Sequence, residues 1–142
     1  DSGPDPLSDP LSFAIRMLSR EFYNVVHIIG IVVLMSSLGG VALHAMNGGT
    51  GANNASRRFI TTLHGIGAFL ILLGGFGMLA RIGFRHEESF PPWLLGKLTV
   101  WVFLAAAPFL PYRRPQWARW LMLGLPVMGG LAAWLGIYKP AL

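Results

Sequence analysis

The stretch NVVHIIGIVVLMSSLGGVALHAM, residues 24–46, decides the fold. It holds no Asp, Glu, Lys or Arg, and its apolar residues run together instead of recurring on one helical face. A soluble core spreads apolar residues periodically, whereas a membrane span concentrates them. At 1.5 Å per residue, a helix of this length crosses a hydrocarbon core of about 30 Å. Three further runs of similar length follow, at about residues 59–82, 92–112 and 117–138. The whole chain agrees: 54% of its residues are hydrophobic and only 12% charged, half the ~25% of soluble domains.

The linkers are short and rich in turn residues. Asn47-Gly48-Gly49-Thr50-Gly51-Ala52-Asn53-Asn54 is a polar loop, Arg85-His86-Glu87-Glu88-Ser89 with Pro91-Pro92 is a charged stop and rigid restart, and Arg113-Arg114-Pro115-Gln116 is a tight hairpin. Short linkers make consecutive helices antiparallel. The expected fold is therefore all-α, an integral membrane up-down four-helix bundle occupying residues 11–142. Ahead of it, residues 1–10 are polar and acidic with no basic n-region or apolar h-region, so no signal peptide is read there. Leu11, Ile15, Leu18, Phe22 and Val25 recur at helical spacing, which predicts an amphipathic interfacial helix leading into the membrane.

The formal charge is +5, but the basic residues form pairs flanking apolar runs, not a stripe. They suit lipid headgroups, and nucleic acid is not an expected partner. With the N-terminal face named side A and the opposite face side B, Arg57, Arg58, Arg113, Arg114 and Arg119 fall on side B. Arg16, Arg20, Arg81, Arg85 and Lys139 fall on side A, with Lys97 a little inside, so the positive-inside rule leaves orientation open. Trp93, Tyr112, Trp117, Trp120 and Tyr138 lie near span ends like an aromatic belt. Gly67, Gly74, Gly129, Ala133 and Gly136 are read as close-packing positions, and Pro108 and Pro126 as bends.

The absence of cysteine excludes disulfides, thiolate metal sites and covalent c-type haem attachment. The spans contain no Asp or Glu, which argues against a carboxylate-based proton or cation pump. Ionisable side chains within spans are functional candidates, because burying one without a partner costs several kcal/mol. His27, His44, His64 and Lys97 are the four. Counted from side B, His44 and His64 are expected at similar depth, within roughly 5 Å. Such a pair of neutral imidazoles offers axial ligands for a b-type haem, or one of them for the magnesium of a pigment. His27 and Lys97 share a depth near side A and suit an anionic ligand, such as a haem propionate, a quinone oxygen or a carboxylate. Lys97 is also able to snorkel to the headgroups. His86-Glu87-Glu88 reads as a solvated charge cluster, and His44-Ala45-Met46 as a weak imidazole–thioether copper pattern.

His27-Ile28-Ile29-Gly30 followed by Ser36-Ser37-Leu38-Gly39-Gly40, with Gly96-Lys97-Leu98 before the third apolar run, resembles a loose superfamily of small bacterial membrane proteins. It includes CopD-like copper-resistance domains, SirB-type proteins and the HemJ-type protoporphyrinogen oxidase. Leu63-His64-Gly65 is compatible, while further polar and aromatic residues of the HemJ-type first helix are missing. The resemblance implies a shared bundle that handles haem, porphyrin or copper, and it draws attention to His27 and Lys97. The bacterial inner membrane is the expected location. Three functions follow as expectations: a haem b or tetrapyrrole protein in a redox role, with His44 and His64, or His27, as axial ligands and Lys97 meeting a propionate; a cofactor-free accessory subunit of a larger respiratory, photosynthetic or transport complex; and copper handling through His44 and Met46.

Overall fold

The computed structural model describes residues 19–82 and 90–140. Helix α1 spans Arg20–Met46, α2 Arg57–Arg81, α3 Pro92–Ala106, the short α4 Leu110–Arg113, and α5 Ala118–Tyr138. Helices α3 and α4 join through a 3-10 turn at Ala107–Phe109 into a third apolar span, Pro92–Arg113. A second 3-10 turn, Pro115–Trp117, opens the fourth, Pro115–Tyr138. All four spans are long and apolar enough to cross a membrane, and the described residues contain no strand. This is the expected integral membrane four-helix bundle. The interfacial helix proposed upstream and the His86-Glu87-Glu88 cluster lie outside the described residues, apart from Phe22 and Val25, which belong to α1.

Local chemistry explains the helix ends. The Phe22 amide donates to the Ser19 hydroxyl at 3.2 Å, which caps α1 and starts it four residues before the apolar run. Its far end is closed by the Asn47 side-chain amide on the Leu43 carbonyl at 2.8 Å, followed by Gly48 at φ 78°. Pro92 begins α3, where a missing amide proton costs nothing. At Pro108 the ring and the missing proton convert the third span from α to 3-10 geometry. Pro126, by contrast, lies inside a helix that continues from Ala118 to Tyr138. Lys139 ends that helix in the left-handed region, with its ammonium 5.5 Å from the centre of the Trp93 ring.

Helix α1 is the hub. Its most extensive contact is with α2, it also packs on α5, and α5 packs on α3, while α2 and α3 touch little. The α1–α2 contact depends on glycine. A Cβ on Gly67 would come within 2.7 Å of the Leu34 amide nitrogen, and one on Gly30 within 2.7 Å of the Ile71 nitrogen. In lipid, association relies on such close backbone packing, since the tails are as apolar as the side chains. Gly67 and Gly74 thus perform the packing expected of them. Gly129 faces Met35 and Gly136 faces Lys97, while Ala133 is exposed.

The core is formed by Leu34, Leu38, Ala42, Val100, Leu104, Leu121 and Leu125. Large apolar side chains also cover the outside, with Phe69 62%, Val127 68% and Ile137 72% exposed. That apolar exterior suits hydrocarbon and would be costly in water.

Candidate functional site

The sparse contact between α2 and α3 leaves a cavity of about 560 Å³, lined by α1, α2, α3 and α5 towards side A. Its wall is mostly apolar, including Ile31, Leu34, Met35, Ile71, Phe76, Trp101 and Leu104. Its polar groups are Arg20, Asn24, His27, Lys97 and Lys139. Small-molecule sites commonly measure ~300–1,000 Å³ and combine such apolar walls with a few fixed polar groups.

His27 is held in one orientation. Its Nδ1 donates to the Ile71 carbonyl oxygen at 2.7 Å across the α1–α2 contact. A carbonyl only accepts, so in the neutral ring the proton sits on Nδ1 and Nε2 keeps its electron pair. Fixing one imidazole nitrogen on a carbonyl is how ligating histidines are commonly oriented. Lys97 is half-buried and lines the same cavity, as does Lys139. Gly136 leaves room for Lys97, since a Cβ there would lie 2.9 Å from Nζ. Lys97 makes no hydrogen bond or ion pair among the described residues. The cavity therefore presents an imidazole electron pair and a group of cations in an apolar chamber.

His44 and His64 occupy different settings. His64 is buried: its Nε2 donates to the Ala105 carbonyl at 3.0 Å, and its Nδ1 lies 3.2 Å from the Ser37 hydroxyl, which also reaches the Leu34 carbonyl at 2.7 Å. His44 lies near side B, with Nδ1 3.0 Å from the Tyr112 hydroxyl and the two rings edge-to-face. Asn54 from the α1–α2 loop donates to the same hydroxyl at 2.7 Å. The α1–α2 packing sets His64 level with Ser37, not with His44. Ser37 and His44 are seven residues apart, or about 10 Å along the axis. The two histidines therefore do not share one depth. Both ring nitrogens of His64 are engaged within the protein. Met46, the proposed thioether neighbour of His44, is exposed. No group of three or more His, Asp or Glu side chains gathers as a metal site among the described residues.

Sequence reading did not find Trp101, whose indole donates to the Ala68 carbonyl at 3.0 Å and straps α3 to α2. Its signal was a tryptophan in mid-span, away from the aromatic belt. Tyr112 was read only as part of that belt, although its hydroxyl joins the loop to α1. Arg20 and Asn24 at the cavity left no motif. Comparison with protein-family models, with curated proteins and with solved structures gives no match for this chain.

Proposed function

We propose that this integral membrane protein binds a b-type haem or a related tetrapyrrole in the α1–α2–α3–α5 cavity, in a redox role. The observation that carries the reading is His27: its Nδ1 is tied to the Ile71 carbonyl, and its ring lines an apolar cavity of about 560 Å³ together with Lys97. The residues fit such a group. His27 Nε2 would hold the iron, Lys97 would meet an anionic carboxylate, and Arg20 and Lys139 would add positive charge at the same cavity. The apolar wall would keep water from the bound group. A bound haem would supply one-electron chemistry there. His27 is preferred over the His44–His64 pair because both His64 nitrogens already have partners.

The test is a reduced-minus-oxidised visible spectrum of protein solubilised gently after growth with haem precursors. A Soret band, lost in His27→Ala and retained in His44→Ala, is the expected result. Weaker pigment retention is expected for Lys97→Met. A colourless protein that co-purifies with much larger partners would replace this reading with the accessory-subunit role.

A further inference from the structure

We propose that the end of α2 on side B binds the phosphate of an anionic phospholipid, a site independent of the tetrapyrrole cavity at the other end of the bundle. A crevice of about 460 Å³ is lined there by Asn54, Ala55, Arg57, Arg58, Thr61 and Thr62. Both arginines are exposed. Arg57 spends one guanidinium donor on the Gly51 carbonyl at 3.3 Å, while Arg58 has no hydrogen bond or ion pair among the described residues.

Among the described residues the one acid, Glu21, sits at the start of α1, at the opposite end of the bundle. The chain has no Asp or Glu between Glu21 and Glu87, and none after Glu88. Among the described residues the five side-B arginines therefore make a face of one sign. The crevice lies at the first turns of the second apolar span, Arg57–Arg81, where lipid headgroups would meet it in a bilayer. Planar guanidinium groups with a hydroxyl beside them match a phosphodiester. Thr61 is turned back to the Arg57 carbonyl at 2.8 Å, which leaves the exposed Thr62 as the available hydroxyl.

The surface below favours a lipid over free phosphate. Arg58, Thr62, Gly65 and Phe69 follow one another at four-, three- and four-residue steps, so they lie along one face of α2. All four are exposed, and a Cβ placed on Gly65 would meet nothing within 4 Å. Headgroup charge and an acyl-chain track are therefore continuous, as a basic headgroup site on a membrane protein requires.

The experiment measures lipid binding by native mass spectrometry of the full chain in neutral detergent, with phosphatidylglycerol, phosphatidylcholine or inorganic phosphate added. Phosphatidylglycerol is expected to bind more tightly than phosphatidylcholine. The double variant Arg57→Gln with Arg58→Gln is expected to lose about thirty-fold in affinity. Arg113→Gln with Arg114→Gln, on the same side of the membrane, should change it less than threefold (about one part in ten of that loss). Arg58→Lys keeps the charge but loses the planar fork, and should bind more weakly than the unsubstituted chain and more tightly than Arg58→Gln. Equal binding of the two lipids, competition by millimolar inorganic phosphate, or equal losses in the two double variants would each overturn the site.

Discussion

Substituting Gly74 by Ala should destabilise the bundle although alanine is the better helix former. A Cβ at Gly74 would sit 2.5 Å from the His27 amide nitrogen, 2.6 Å from the Tyr23 carbonyl oxygen and 2.7 Å from His27 Cα. All three atoms are backbone, so no rotamer change relieves the clash. Restoring ordinary contact at 3.4 Å needs α1 and α2 to part locally by about 1 Å. Overpacking of this kind costs about 1–3 kcal/mol, against a helix-propensity gain of up to ~1 kcal/mol. Gly65→Ala supplies the matched control. It lies on the same helix, is exposed, and has nothing within 4 Å of its added carbon. Subtracting the two variants removes the propensity gain and leaves the steric cost. Unfolding by SDS titration in mixed micelles, followed by circular dichroism, should place Gly74→Ala about 1–3 kcal/mol below Gly65→Ala. The clash falls on the backbone of His27, so pigment retention should weaken as well. If Gly74→Ala proved as stable as Gly65→Ala, the glycine-dependent α1–α2 contact would be wrong, and the His27–Ile71 geometry with it.

Tyr112→Phe removes the hydroxyl shared by His44 and Asn54. It should cost about 1–2 kcal/mol and speed hydrogen exchange across residues 47–56, while leaving the visible spectrum unchanged; unaltered exchange there would show that the hydroxyl does not anchor the loop. Because the chain has no cysteine, single cysteines report topology directly. In sealed vesicles, Asn53→Cys and Gln116→Cys should react with an impermeant maleimide from one side, and Lys139→Cys from the other. Labelling of all three from the same side would refute the up-down-up-down bundle.

The spans were legible because their signal is local. A hydrocarbon core of fixed thickness demands an uninterrupted apolar run, and such a run can be counted along the chain without knowing its neighbours. The linkers were legible for the same reason, since Gly48, Pro92 and the Arg113–Gln116 hairpin act through their own backbone chemistry. His27 and Lys97 stood out because charge and imidazole are conspicuous in apolar sequence.

Depth and partnership were not legible in this way. Counting from apolar boundaries put His64 beside His44, yet α2 begins at Arg57, ahead of the apolar run, and glycine packing sets the register. His64 then lies opposite Ser37 and reaches across to Ala105. Hydropathy has no term for backbone approach between two helices, and that approach also spaces α2 from α3. The sequence by itself determined that there are four spans, where they turn, and which ionisable groups they carry. Only the tertiary structure decided that His64 is taken up by Ser37 and Ala105, that Tyr112 holds His44, and that His27 and Lys97 face a common cavity. These depend on which glycines let two backbones meet, a property of pairs of helices and not of any single stretch of chain.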